Sequence, residues 1–126
     1  MKKIKILIVD DEPSVTKYLK LELEECCPNL EVIVQNSGYE ALNRLMQGDI
    51  RLLITDIAMP DMDGYELFSR AKDYDENLPI IMMTGFGYDP GHVVVKSRQD
   101  GLQDILFKPI ETKKLFDLIR KRVLGE

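Results

Sequence analysis

Short apolar runs alternate with longer amphipathic segments along the chain, and this alternation limits the folds that it can adopt. Ile4–Val9 is almost continuously apolar, which is typical of a strand that is covered on both faces. Similar runs predict strands at residues 30–34, 51–55, 79–83 and 105–107. Because parallel neighbours need crossover connections, five strands separated by helices predict an α/β fold, with a parallel, doubly wound sheet.

The segments between these runs predict five helices. Pro13 suits the first turn of the first helix, and this helix is predicted to end at residues 27–29. The others are predicted over 38–46, around Leu67 until about Asp75, over a short segment at 92–99, and through Leu115 to the end of the apolar stripe. The sequence contains no repeat, linker or low-complexity segment that would interrupt this order.

Length and composition fit one compact domain, and we predict a single domain over residues 1–126. Hydrophobic residues make up 44% of the chain and charged residues 31%, as in ordinary globular proteins. The net charge of -5 disfavours non-specific binding to nucleic acid or to anionic membranes. No apolar run approaches the roughly 20 residues of a membrane-spanning helix.

The cysteine usage and the start of the sequence predict a compartment. Cys26 and Cys27 are adjacent, so they cannot link distant parts of the chain. The first residues lead directly into a strand without the features of a signal peptide. We therefore predict that the protein is located in a reducing cytoplasm.

Polar residues that can carry chemistry follow the predicted strands directly. Asp10 and Asp11 come after the first strand and Asp56 after the third. Thr84 ends the fourth strand and Lys108 the fifth. In doubly wound sheets the binding crevice lies at the carboxyl ends of the strands. We therefore expect these five side chains to meet in one crevice.

The three aspartates of this crevice predict a metal site. Asp10, Asp11 and Asp56 would repel one another, which raises carboxyl pKa values unless a cation is present. Oxygen ligands of this kind suit Mg²⁺, which favours one or two carboxylates, retained waters and a phosphate oxygen. The crevice is therefore expected to hold Mg²⁺ and to receive a phosphoryl group.

Simpler roles exist for each of these residues. Asp10 and Asp11 could cap the first helix, and Asp56 could be a turn residue at a strand end. Thr84 alone is an ordinary strand residue, and Lys108 before a proline could be solvated. Only their joint occurrence at the strand ends favours a functional site.

Asp61 and Asp63 imitate part of a calcium-binding loop, but that pattern fails. Its first ligand position would be Met59 and its closing glutamate position is Arg70. We interpret both aspartates as turn residues and expect Gly64 to supply an unusual backbone angle. The single histidine of the chain excludes a credible zinc site.

Four segments carry a family resemblance. They are IVDDEP at residues 8–13, DIAMPDMDG at 56–64, MTG at 83–85 and FKP at 107–109. In this order and spacing the chain resembles the receiver domains of bacterial response regulators, which belong to two-component signalling. The resemblance spans nearly the whole chain. It implies a five-stranded parallel sheet with the flavodoxin-like strand order 2-1-3-4-5 and five helices.

The resemblance implies roles at the metal site. Asp10 and Asp11 would hold Mg²⁺, together with Asp56 and the backbone carbonyl of Ala58. The ion would offset charge on the phosphoryl oxygens during in-line transfer.

It also implies a nucleophile and two assisting groups. Asp56 would form an acyl phosphate with a phosphoryl group from a phosphohistidine. Lys108 would pair with Asp56 and then with a phosphoryl oxygen, and Thr84 would bond another oxygen. The Lys108–Pro109 peptide bond would be cis.

The chain departs from the family pattern in three places. Ile105 stands where the family usually has an aromatic residue, whose inward rotation reports phosphorylation. The stretch from Thr84 to Lys108 is slightly longer than usual, which predicts a longer loop and a shortened or displaced fourth helix. Ala58 and Phe86 occupy positions that flank the route of the hydrolytic water. Neither can position water, so we expect slow self-dephosphorylation.

We therefore expect a phospho-accepting switch that assists its own phosphorylation and slow dephosphorylation, and not a conventional enzyme. Its partners would be a sensor histidine kinase or a histidine phosphotransfer protein, and a downstream protein target or fused output domain. We expect no direct binding to nucleic acid or membrane. The main alternative is a receiver-like adaptor that works without phosphorylation. A phosphatase is disfavoured because Ala58 stands where its general acid would be, and acids after the first strand disfavour a flavin carrier.

Overall fold

The computed structural model describes residues 3–85, 89 and 92–125, and within them strands and helices alternate. The strands are β1 (Ile4–Val9), β2 (Leu30–Gln35), β3 (Leu52–Asp56), β4 (Ile80–Gly85) and β5 (Asp104–Lys108). The helices are α1 (Pro13–Cys26), α2 (Gly38–Leu45), α3 (Gly64–Tyr74), α4 (Val93–Gln99) and α5 (Thr112–Ile119), and a π-helical segment, Arg120–Leu124, continues α5.

All five strands pair in parallel, in the order β2-β1-β3-β4-β5. Each connection between parallel strands must cross over one face of the sheet, and a helix does so in every case. The register aligns Val9 with Thr55 and Asp56 with Met83, so the carboxyl ends of the central strands form one edge. The predicted fold class, strand order and five helices are confirmed.

Two apolar cores lie on opposite faces of the sheet. Successive side chains of a strand point to opposite faces, and in β1 Leu7 joins one core while Ile6 and Ile8 join the other. The first core packs α2, α3 and α4 against the sheet, and the second packs α1 and α5. Coverage on both faces explains why the strand sequences are almost continuously apolar.

Local signals fix where the helices begin. Pro13 is at the start of α1, where its missing N–H costs no hydrogen bond. Ser37 caps α2, because its Oγ accepts a hydrogen bond from the Glu40 N–H at 3.2 Å. Asp63 caps α3 through the Glu66 N–H at 2.8 Å. Asp63 is therefore a helix cap and not only the turn residue that the sequence predicts.

Several strands extend beyond their predicted ends. Asp56 lies within β3 and pairs with Met83, while Gly85 is the last residue of β4 and pairs with Lys108. The predictions followed aliphatic and β-branched residues and so stopped before Asp56 and Gly85. Backbone pairing does not depend on side-chain polarity, so the ladder of hydrogen bonds continues into the predicted site residues.

Gly64 differs from its prediction, because its backbone does not adopt an unusual angle with positive φ. A Cβ at this position would instead lie 2.8 Å from Ile57 Cα and 2.9 Å from the Asp56 carbonyl oxygen. The requirement for glycine is therefore a close approach of the start of α3 to the end of β3.

The fourth helix is short, as the sequence predicts: α4 spans seven residues, the fewest of the five α-helices in the described ranges. His92, which precedes it, has a φ of 55°. Phe86, Gly87, Pro90 and Gly91 lie outside the described residues, so the predictions that concern them remain predictions. Across the described ranges, no helix has the length and apolar character to cross a membrane.

Candidate functional site

The carboxyl ends of β1, β3 and β5 bring three predicted site residues together. Asp10 follows β1, Asp56 ends β3 and Lys108 ends β5. Asp10 is 0% exposed and Asp56 is 8% exposed, which is unusual for carboxylates. Buried charges require partners, and the site supplies them within its own residues.

A cluster of three carboxylates forms at this edge. One oxygen atom from each of Asp10, Asp11 and Asp56 lies within 4.8 Å of the others. Asp10 and Asp56 are buried, whereas Asp11 is exposed and gives solvent access to the cluster. An all-oxygen donor set with one open side matches the requirements of Mg²⁺, which retains several waters when bound. The residues present therefore fit the predicted metal.

Lys108 is the cation of the site, and it contacts two carboxylates. Its Nζ lies 2.9 Å from Asp10 Oδ2 and 3.3 Å from Asp56 Oδ1. Its side chain is 25% exposed, so the solvated alternative does not hold. The Lys108–Pro109 peptide bond is cis, as the resemblance implies. The pairing with Asp56 was expected, but the shorter contact with Asp10 was not.

The electrostatics of the site reflect burial and charge together. Burial raises the pKa of the Asp56 carboxyl above its usual value, and the charge of Asp10 raises it further, while Lys108 opposes both effects. Burial alone would lower the pKa of Lys108, but the hydrogen bond and charge of Asp10, together with Asp56, raise it above its usual value. The ammonium group therefore stays charged between the two carboxylates.

Neighbouring loops hold Asp10 in position. Its Oδ1 accepts a hydrogen bond from the Glu12 N–H at 3.0 Å, and its carbonyl accepts one from Asn36 Nδ2 at 2.7 Å. Asn36 also donates to Thr16 Oγ1 at 3.3 Å. The residue at the N-terminus of α1 is Glu12, without a side-chain cap, so neither Asp10 nor Asp11 caps the helix. Sequence reasoning missed Asn36, although it directly follows β2 and the strand-end rule pointed to it.

Thr84 is 3% exposed, and its Oγ1 donates to the Gly85 carbonyl at 3.1 Å. In the sheet it pairs with Phe107, and Gly85 pairs with Lys108. Thr84 thus lies on the strand beside that of the lysine, at the same edge. Ile105 of β5 is partly buried against the core that packs α2, α3 and α4. Its aliphatic side chain stands where the family usually has an aromatic ring.

The loop from β3 to α3 contributes to the same edge. Ala58 lies two residues beyond Asp56 and packs partly against the core. Asp61 accepts hydrogen bonds from the Gly38 N–H at 3.2 Å and the Tyr39 N–H at 3.0 Å, which links this loop to the start of α2. Sequence reasoning interpreted Asp61 as a turn residue and missed this contact, because no local pattern reveals a partner so distant along the chain.

Fold and site together define a doubly wound α/β domain with a buried acidic crevice at the carboxyl edge of its sheet. The family model "Response regulator receiver domain" matches residues 6–120. The chain therefore belongs to the response regulator receiver domain family, as the resemblance indicated. The match includes all of the site residues described above.

Individual relatives agree with this assignment. The chain is 33% identical over 123 residues to the response regulator receiver protein CpdR of Brucella abortus (strain 2308), covering 96% of this chain and 98% of that protein. It is 32% identical over 114 residues to the transcriptional regulatory protein GlrR of Escherichia coli (strain K12), covering 90% of this chain. This chain spans only 25% of the length of GlrR.

Solved structures share the fold. The crystal structure of a response regulator receiver domain protein from Methanospirillum hungatei JF-1 superposes with a TM-score of 0.88 at 28% identity. The superposition covers 98% of this chain and 96% of that one. The likeness therefore extends over the whole sheet and its helices.

Proposed function

We propose that this domain accepts a phosphoryl group on Asp56, in a reaction that depends on Mg²⁺, and that it thereby switches its interactions with partner proteins. The observation that supports the proposal is the cluster that Lys108 forms with Asp10, Asp11 and Asp56. It consists of two buried carboxylates bridged by one ammonium group and an exposed third carboxylate, that of Asp11, within 4.8 Å of the other two. Carboxylates and an ammonium group in this arrangement can bind a phosphoryl group together with its Mg²⁺ ion.

Asp56 is the group that forms the new bond. A carboxylate oxygen of Asp56 attacks phosphorus in line, and the bond between phosphorus and the donor imidazole nitrogen breaks as the acyl phosphate forms. The electron pair of the broken bond stays on the imidazole nitrogen. Burial of Asp56 removes competing water from its carboxylate.

Lys108 and Thr84 assist this transfer. Lys108 moves its charge from Asp56 toward a phosphoryl oxygen, while its second contact, with Asp10 at 2.9 Å, keeps the ammonium group within the crevice. Thr84 donates its hydroxyl hydrogen to another phosphoryl oxygen in place of the Gly85 carbonyl. Both groups offset charge that accumulates during transfer.

Asp10, Asp11, Asp56 and the backbone carbonyl of Ala58 would hold the Mg²⁺ ion. When bound, the ion supplies positive charge to the phosphoryl oxygens and a template that orients the donor. Asp10 is kept in place by the Glu12 N–H and by Asn36. These contacts fix the position of one of the proposed ligands.

The proposed donors are the phosphohistidine of a sensor histidine kinase or of a histidine phosphotransfer protein. The recipient of the signal would be a downstream protein or an output domain fused to the receiver. As a switch, the domain assists its own phosphorylation and its slow dephosphorylation without turning over an external substrate. Ala58 supports slow dephosphorylation, because its methyl side chain cannot orient a water molecule.

The test is to incubate the protein with a small acyl-phosphate donor, with Mg²⁺ or with a chelator, and to measure intact mass. We expect one added phosphoryl group with Mg²⁺ and none with the chelator. Asp56→Asn removes the acceptor and should give no adduct. Asp73→Asn, which changes an exposed aspartate of α3, is the matched control and should be phosphorylated like the wild type.

Two results would contradict the proposal. An adduct that persists in Asp56→Asn would assign the acceptor elsewhere. No adduct in a folded wild-type protein, with Mg²⁺ and short trapping times, would instead support the receiver-like adaptor that works without phosphorylation.

A further inference from the structure

Strand β2 lies at an edge of the sheet, so one side of its backbone has no neighbouring strand. Asn29 and Gln35 direct their carbonyls toward β1, where they accept hydrogen bonds from the Ile4 N–H at 2.8 Å and the Asp10 N–H at 3.3 Å. Backbone groups alternate in direction along a strand. The N–H and C=O groups of Leu30, Val32 and Val34 therefore point to the open edge.

Two side chains of α1 occupy the middle of this edge. Glu24 Oε2 accepts a hydrogen bond from the Val32 N–H at 2.8 Å, and Lys20 Nζ donates to the Val32 carbonyl at 2.6 Å. Lys20 and Glu24 also pair with each other at 3.0 Å. Both outward backbone groups of Val32 are thus bonded to the side chains of one ion pair, whose two residues lie one helical turn apart on α1.

The rest of the edge is less protected. The Leu30 N–H donates to the Cys27 carbonyl at 3.0 Å, in the turn that leads into β2. Within the described part of the chain, the outward groups of Val34 have no hydrogen-bond partner. A further strand would need several consecutive hydrogen bonds to pair with β2. Val32 is the middle residue of the open edge, so occupying its backbone groups interrupts that series most effectively.

The sequence of β2 is well suited to pairing with itself. LEVIVQ is rich in β-branched residues, and residues of this kind on an open edge favour association of sheets. In an antiparallel pair around a two-fold axis, Val32 would exchange both hydrogen bonds with Val32 of a second copy, and Leu30 would face Val34. Leu21, which is 68% exposed, lies between Lys20 and Glu24 in the sequence of α1 and would add apolar area.

We propose that the Lys20–Glu24 pair is an edge clamp that keeps β2 closed to the β2 strand of a second copy of this chain. The clamp occupies the same two backbone groups that the self-pairing would use. Removing it opens the edge from the Leu30 carbonyl to Val34, while the Leu30 N–H stays bonded to the Cys27 carbonyl. This inference does not depend on phosphorylation.

The experiment compares three proteins over a range of concentrations by sedimentation velocity. They are the wild type, the clamp variant Lys20→Ala/Glu24→Ala, and the control variant Glu66→Ala/Arg70→Ala. The control removes another ion pair with the same spacing, on α3, which bonds no strand edge. We expect a concentration-dependent dimer for the clamp variant alone. Alanine favours helix, so α1 should persist.

Amide hydrogen exchange at Val32 locates the contact. In the clamp variant at low concentration, this amide should exchange about tenfold faster than in the wild type, because its acceptor is gone. At dimer-forming concentration the exchange should slow again by a similar factor. Both effects should be absent in the control variant.

The proposal is overturned if the clamp variant stays monomeric, if its dimer leaves exchange at Val32 unchanged, or if the control variant dimerises equally. Circular dichroism first establishes that the variants are folded. If the double variant is not, Lys20→Ala and Glu24→Ala are each measured in the same way. Two folded, monomeric single variants would then refute the clamp.

Discussion

Lys108 extends its ammonium group between two carboxylates, 2.9 Å from Asp10 Oδ2 and 3.3 Å from Asp56 Oδ1. The contact with Asp10 matters for stability, because that carboxylate is 0% exposed and cannot be hydrated instead. The contact with Asp56 matters for the proposed chemistry, because the same ammonium group would reach the phosphoryl oxygens. One side chain thus pairs with a buried carboxylate and, under the proposed function, would also contact the phosphoryl group.

Lys108→Met should lower the free energy of unfolding by ~2 kcal/mol at pH 7 without Mg²⁺, because it leaves a buried carboxylate unpaired. Urea unfolding in the presence of a chelator measures this loss. Lys121→Met, at an exposed lysine, is the control and should change stability by less than about 0.5 kcal/mol. Equal losses in the two variants would contradict the assigned role of Lys108.

The residue types at the site were predictable from the sequence, but their contacts were only partly so. Because they follow or end strands, Asp10, Asp56 and Lys108 were expected to meet at the carboxyl edge of the sheet, and the structure confirms that they do. That expectation gives no distances, so it could not tell that Lys108 lies nearer Asp10 than Asp56. Asn36 was missed although it follows β2 directly, because its partner is the carbonyl of Asp10, a backbone group that no sequence pattern marks.

Asp49 links the end of α2 to β1 through ion pairs. It bonds Arg44 of α2 at 2.6 and 3.1 Å and Lys5 of β1 at 2.9 Å. The hydrogen bonds from Arg44 and Lys5 hold the pKa of the Asp49 carboxyl well below its usual value, against the opposing effect of burial. The carboxyl therefore binds a proton more readily in the unfolded chain than in the folded one.

This difference predicts a pH dependence. Because the folded pKa is lower, the Asp49 carboxylate stabilises the protein above the unfolded carboxyl pKa of about 3.9, and the contribution is lost as pH falls below it. Asp49→Asn should cost about 1 kcal/mol at pH 7, a value limited by solvent screening of this partly exposed group. Urea unfolding from pH 7 to pH 3 should show the difference from wild type shrinking below about pH 4.

A constant difference from wild type across this pH range would contradict the role of the Asp49 ion pairs. The Asp73→Asn variant is the control, since Asp73 is exposed on α3. Its free energy of unfolding should follow the wild type at every pH.

The existence and type of the elements followed from the sequence, whereas some local geometry did not. Apolar runs predicted all five strands, because strands buried on both faces must be apolar. The need for glycine at position 64 was attributed to a backbone angle, but it arises from contact with Ile57 and Asp56. A close contact between two segments leaves no local pattern in the sequence, so this reason for a glycine could not be predicted.

One apolar core covers each face of the sheet, so the carboxyl edge and the outer edge of β2 are the parts of the sheet left open. The carboxyl edge collects the charged groups of β1, β3 and β5, while Ile105 of β5 packs partly into one of the cores. Because this position has no aromatic ring, a conformational change at Thr84 would have to be transmitted to the surface by repacking of side chains and not by rotation of a ring. The route of that change cannot be predicted from the pattern of β5.

Mg²⁺ should stabilise the whole domain, because it binds the folded carboxylate cluster and not the unfolded chain. At a concentration 100 times the dissociation constant, the gain should be about 2.7 kcal/mol in the free energy of unfolding. Thermal unfolding with Mg²⁺ and with a chelator measures the gain. Asp11→Asn should abolish most of it, whereas the neighbouring Glu12→Gln should retain it. Equal gains in both variants would contradict the metal site.

Reductive trapping can show whether Asp56 carries the phosphoryl group. After reaction with an acyl-phosphate donor and Mg²⁺, borohydride reduces an acyl phosphate to an alcohol and converts that aspartate to homoserine. Peptide mass spectrometry then locates the modified residue. We expect homoserine at position 56 alone, and only when Mg²⁺ is present. Homoserine at Asp10, Asp11 or any other aspartate, or none in a folded protein, would contradict the proposal.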